Sequence, residues 1–96
     1  MMIQETTVFT KGPWQAGIQY DDEFGCPVMD ESGREVAEAK GENEDECAAN
    51  ALLIAAAPEM YEALRQAFSL VRLMDHPELA RFMSETLDKA AGLVGR

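Results

Sequence analysis

The sequence predicts an α+β fold: an N-terminal three-stranded antiparallel β-meander followed by three helices, at about residues 43–56, 58–74 and 77–94. Three observations carry that prediction. Apolar residues alternate from Trp14 to Tyr20, the period of a strand with one buried face. Short polar turns rich in Asp, Glu and Gly separate short runs at residues 21–25 and 30–33. From Asn43 onward the spacing becomes helical, with Pro58 and Pro77 breaking it into segments.

Residues 1–13 read as an extended lead-in, in which the β-prone run Thr6–Thr10 is stopped by Gly12-Pro13. The meander covers residues 14–40. Its first strand, Trp14 to Tyr20, places Trp14, Ala16, Ile18 and Tyr20 on one face. Its second is Cys26 to Met29, where Pro27 marks an edge strand or a bulge. Its third is Arg34 to Ala39. The helical part covers residues 43–94, and the whole chain of 96 residues is of single-domain size.

Asn43 is placed to cap the first helix, with Glu46 positioned to reach back to the cap's own N–H. Glu44, Asp45 and Glu46 set negative charge at the positive end of the helix dipole. In the alanine-rich run that follows, the small side chains allow close approach, and Leu52, Leu53 and Ile54 supply bulk. Pro58 should end this helix near Ala56 and open the next after a sharp bend. The second helix repeats Tyr61, Leu64, Phe68, Val71 and Met74, and Met60, Ala63, Ala67 and Leu70 widen the stripe. Asp75 is placed to cap the third helix. That helix aligns Leu79, Phe82, Met83, Thr86, Leu87, Ala90 and Val94, with Gly95 as a stop. Met60, Met74 and Met83 sit at core spacing.

The net charge is −10, and residues 21–46 hold 11 acidic residues against Arg34 and Lys40. Such a balance disfavours direct nucleic-acid binding, which needs Lys and Arg on phosphates. It suits attraction to a basic partner surface. No apolar run approaches the length of a bilayer span, and residues 1–9 lack the pattern of a secretory signal. Cys26 and Cys47 therefore read as free thiols in a reducing cytoplasm. One histidine and two scattered cysteines make no zinc site, and the carboxylate runs lack calcium-loop spacing. His76 has no catalytic partners near it in sequence, and Trp14 reads as core packing.

Two segments resemble known proteins. Thr10-Lys11-Gly12-Pro13-Trp14, followed by the block from Glu46 to Leu64 (ECAANALLIAAAPEMYEAL), is similar to a group of small phage and prophage proteins. Those carry a GPW near the start and an "EANA-LIAAAPE-EAL" block, and the likeness covers about two-thirds of this chain. Cys47 and Leu53 depart from it at positions usually polar, which would enlarge the buried surface. The resemblance implies a phage origin. By analogy with small acidic phage proteins of the anti-CRISPR and other anti-defence types, it implies a non-enzymatic protein that binds and inhibits a host protein in the bacterial cytoplasm. Asp21, Asp22, Glu23, Asp30, Glu31, Glu44 and Asp45 would then form the contact with a basic surface, with no cofactor. The apolar stripes outsize what three short strands can cover, so either the helices form their own hairpin or a second chain completes the core, as a homodimer through the last two helices. The alternative function is an oligomer that sequesters a signalling nucleotide, using Trp14 or Tyr20 with Arg65, Arg72 and Arg81. A structural phage component is a third reading.

Overall fold

The computed structural model describes residues 9–17 and 25–92. Its elements are β1 (Gln15–Ala16), β2 (Cys26–Met29), β3 (Glu35–Ala39), α1 (Glu44–Ala55), α2 (Ala57–Val71) and α3 (Pro77–Ala90). The strands form one antiparallel sheet in the order β1-β2-β3, the meander the turn spacing predicts. The fold is α+β. It divides into two compact units, one spanning Phe9–Glu59 and the other containing the helical part from Met60.

The first strand is shorter than expected: Trp14 precedes it, and Ile18 and Tyr20 lie outside the described residues. The Gly17 N–H still donates to the Pro27 carbonyl at 2.8 Å, so pairing runs one residue past β1. Pro27 sits in the central strand, not at an edge, opposite Glu38. The irregularity its ring foreshadowed falls one residue on, between Val28 and Met29.

One face of the sheet is lined with small and β-branched side chains. Ala16, Val28 and Ala37 lie in one row, with Cys26 and Ala39 in the next. Helix α1 lies across this face, and Cys47, Ala51 and Ala55 recur every fourth residue along its buried side. Alanine and cysteine against alanine and cysteine let the helix backbone settle close to the sheet. Trp14, Val36 and Ile54 pack around the margin of this layer. Val28 is fully buried at its centre, which stabilises the fold by about 1.5–3 kcal/mol relative to an exposed valine.

The bulk of α1 points the other way. Leu52 and Leu53, expected to fill the core, are 64% and 62% exposed. The run is apolar on every side, so its composition does not say which face is buried, and the close approach selects the small one. The break after α1 falls close to where Pro58 predicts it. Ala56 is the sole residue between α1 and α2, and its N–H is shared between the Leu52 and Leu53 carbonyls. Pro58 falls at the second residue of α2, where its missing N–H would have had no helical partner.

Helix α2 is half-buried along Tyr61, Leu64, Phe68 and Val71, as the stripe predicted. Met74 lies past its end and is exposed, as is Met60, so these two methionines are not core. Met83 is buried in α3. Leu87 flanks it half-buried, while Leu79 and Phe82, expected on the same face, are exposed. Asp75 does not cap α3. His76 occupies the cap position without a side-chain hydrogen bond, and Pro77 opens the helix. Val94 lies outside the described residues.

Candidate protein-interaction surface

The acidic segment is built from two local structures joined by β3. The first is the β2–β3 turn. Asp30 Oδ1 accepts from the Ser32 N–H at 3.0 Å, the Ser32 hydroxyl at 2.7 Å and the Arg34 N–H at 2.9 Å. Its other oxygen lies 3.4 Å from the Arg34 guanidinium. The Asp30 N–H donates to the Arg34 carbonyl at 2.8 Å, and the Gly33 N–H to the Asp30 carbonyl at 2.9 Å. Gly33 has φ +89°, a left-handed conformation that favours glycine. The Ser32 hydroxyl first, and then the Arg34 N–H, hold the Asp30 carboxyl below its ordinary value of 3.8. Asp30 is thus consumed in building the turn, while Glu31 projects from its tip.

The second structure is the start of α1. Asn43 Oδ1 accepts from the Glu46 N–H at 2.9 Å, as the cap predicts. The Glu46 carboxylate reaches back to the N–H of Glu42 at 2.5 Å, one residue before the cap whose N–H was the expected donor. The Asn50 amide donates to the Lys40 carbonyl at 2.6 Å, tying the helix to the end of β3. Glu44 and Asp45 are exposed in the first turn, where the helix dipole favours their charge. Directly beneath them Cys47 enters the core. Burial, with Cys26 and Glu46 nearby, pushes its thiol above the usual range.

Of the predicted contact residues, Glu31, Glu44 and Asp45 are exposed, Asp30 is engaged inside its turn, and Asp21, Asp22 and Glu23 lie outside the described residues. The exposed acids do not converge on one spot. The turn and the helix start sit at opposite ends of the five-residue β3, roughly 17 Å of extended chain. That exceeds the Debye length of about 8 Å at physiological salt, so the two clusters act as separate charges. Glu35 and Glu38, which the sequence reading left out of the contact set, are exposed along β3 between them. Alternation against Ala37 and Ala39 was the signal that could have found Glu38; Glu35 shares their parity, and no local signal marks it. β3 is an edge strand, and charge along such an edge also discourages pairing with other chains.

Local cations are taken up within the unit. Arg34 pairs with Asp30, and Lys40 lies 3.5 Å from Glu38. Lys11 joins Thr10, Gly12, Asp30, Glu31, Ser32 and Arg34 around an open depression of about 270 Å³. Residues 9–59 carry 12 acidic and 3 basic residues, and the rest of the chain carries 6 and 5. The division into units therefore coincides with the division of charge.

The residues of the nucleotide-binding alternative are engaged separately. The Arg65 guanidinium lies 3.1 Å from Glu62 and 6.0 Å from the Tyr61 ring centre. That of Arg72 sits 5.7 Å from the Phe68 ring centre, and that of Arg81 is 3.9 Å from Glu85. Trp14 is half-buried against the core. Its indole N–H donates to the Thr10 carbonyl at 3.2 Å, and its ring meets Phe9 edge-on. His76 is exposed. Among the described residues no group of three or more His, Cys, Asp or Glu side chains could hold a metal ion, and no helix is long and apolar enough to cross a membrane.

The Gly12-Pro13 peptide is cis, and Gly12 lies against Pro58: a Cβ on Gly12 would stand 2.7 Å from the Pro58 Cβ. The GPW segment and the alanine–proline block therefore meet in space, which is why position 12 carries no side chain. No curated protein and no solved structure matches the chain. A family model does match, over residues 1–93, and the chain belongs to the family it describes, Salmonella phage P22 protein Y8K6.

Proposed function

We propose that this phage protein is a non-enzymatic accessory factor that binds and inhibits a host protein, of the anti-defence type, in the host cytoplasm. The acidic edge built by the β2–β3 turn, β3 and the start of α1 meets a basic strip on that partner. The observation that carries this reading is the concentration of charge: 12 acids against 3 bases in residues 9–59, with Arg34 and Lys40 already paired to neighbouring carboxylates. Glu31, Glu35, Glu44 and Asp45 make the described part of the contact, and Asp21, Asp22 and Glu23 extend it. A partner that normally grips nucleic acid offers the complementary surface. Association is fast and salt-sensitive.

The test is capture from a bacterial lysate on the immobilised chain, followed by affinity measurements at several salt concentrations. Charge reversal at Glu31 and Asp45 together weakens binding by at least about tenfold and flattens its salt dependence. Unchanged affinity and slope in that variant overturn the electrostatic reading. A thermal-shift screen with nucleotides shows no stabilisation, and a clear shift transfers the case to small-ligand binding.

A further inference from the structure

Two of the three largest fully buried side chains among the described residues are thiols, Cys26 and Cys47. They belong to one core cluster, Cys26 on the sheet side of the layer and Cys47 on the helix side. Cys26 opens β2 and stands opposite Ala39, the last residue of β3. Cys47 begins the row of α1 residues turned to the sheet, and that helix start is pinned to the same end of β3. The Asn50 amide donates to the Lys40 carbonyl, and Gly41 packs so tightly that a Cβ on it would stand 2.7 Å from the Cys47 nitrogen. Cys26 is among the groups that push the Cys47 thiol up, which places the two sulfurs within electrostatic reach of each other. Ala39 opposite Cys26 and Ala51 one turn on from Cys47 add only methyl groups to the layer. Small residues on both sides bring helix and strand close, the condition for two Cβ atoms to approach within the roughly 3.5–4.5 Å that a disulfide spans. No disulfide joins the two in this structure.

We propose that Cys26 and Cys47 form a modification site: on exposure to a small-molecule disulfide they close an internal bridge that staples α1 to β2. Both sulfurs are fully covered in the closed fold, so the first step waits for the start of α1 to lift. That start is held by exposed polar contacts, the Asn43 cap and the Asn50–Lys40 bond, and segments held in this way open at lower free energy than the core. One thiol then loses its proton, and its thiolate attacks the small disulfide. A mixed disulfide forms and one small thiolate leaves. The close-packed layer has no room for that adduct, which keeps the helix start open. The second protein thiolate attacks the protein sulfur of the mixed disulfide, expels the other small thiolate and forms the bridge. The two protein thiols give up two electrons and two protons, and the small disulfide becomes two thiols. A glutathione pool kept reduced leaves both residues as thiols, and an oxidised pool closes the bridge.

The bridge draws a ring around the acidic edge. The chain from Cys26 to Cys47 carries the β2–β3 turn, all of β3 and the cap of α1, with Glu31, Glu35, Glu38, Glu44 and Asp45. Closing it ties both ends of that edge into one covalent loop. The chemistry needs no partner, and it stands or falls apart from what the edge binds.

Oxidation of the folded full chain tests it. The reduced protein is held overnight in excess oxidised glutathione without denaturant, quenched in acid, alkylated with N-ethylmaleimide in urea, and its mass measured. The expected product is a monomer lighter by two hydrogens, with no alkyl group or glutathione added. Its far-UV circular dichroism is that of the reduced chain. A ring of this size lowers the unfolding constant by roughly a hundredfold, so the urea midpoint rises and returns on reduction. Cys26→Ala and Cys47→Ala chains show no such rise. Two thiols still open to alkylation after the exposure overturn the proposal, as does a main product that is a glutathione adduct or a disulfide-linked dimer. A bridge that forms only in urea, or that lowers the midpoint, shows that the fold holds the sulfurs too far apart and overturns it as well.

Discussion

Asp30 shows how a carboxylate predicted for the outside can be spent on the inside. The sequence marks it only as one acid among many before a Ser-Gly pair. The structure makes it the acceptor for two N–H groups and a hydroxyl, with a guanidinium alongside. Because its carboxyl is held below 3.8 in the folded chain, the stabilisation it gives is complete above its unfolded value. It is lost as pH falls through the lowered one. Urea midpoints measured from pH 6 down to pH 2 should therefore show Asp30→Asn less stable than the parent at and above about pH 4, with the gap closing below it. A gap that stays constant across that range would contradict the assignment. Gly33 was legible as the end of a tight turn, and its left-handed backbone bears that out. Gly12 was legible only as a breaker. Its contact with Pro58 spans 46 positions, and nothing local in sequence announces such an approach.

The elements were recovered better than their orientation. Caps, prolines and turn glycines are local chemistry, and they placed β2, β3, α1 and both helix breaks close to where they fall. Which side of α1 is buried depends on the sheet it meets, and an apolar run offers no contrast to read. The contrast between neighbours is now testable. Ala51 is fully buried and Leu52 mostly exposed. Ala51→Leu should overpack the layer against the sheet and cost about 1–3 kcal/mol, while Leu52→Ser should change stability by no more than about 0.5 kcal/mol. Denaturant midpoints decide between them, and equal losses would mean α1 is rotated. The acidic contact set met a similar limit. Counting charge identified the segment, but only the strand shows that its two ends are held apart and that Glu35 and Glu38 fill the interval.

For the chain as a whole, burial and charge are unevenly shared. Cys26, Val28, Ala39, Cys47, Ala51 and Ala55 all belong to the unit of residues 9–59, whereas α2 contains no buried residue and α3 only Met83. Regions with few buried apolar contacts open at lower free energy. Hydrogen exchange at low protein concentration should accordingly show the amides of β2 and α1 outlasting those of α2 and α3. Uniform protection across all elements would contradict this division.

The layer beneath α1 also sets an order of events at the ribosome. Cys26 and Val28 emerge well before Cys47, Ala51 and Ala55, the face of α1 that packs over them. At synthesis rates of about 5–20 residues per second, the nascent hairpin waits a second or more with its thiol and its valine uncovered. During that interval the young chain is open to oxidants and chaperones, to which its finished form presents neither sulfur.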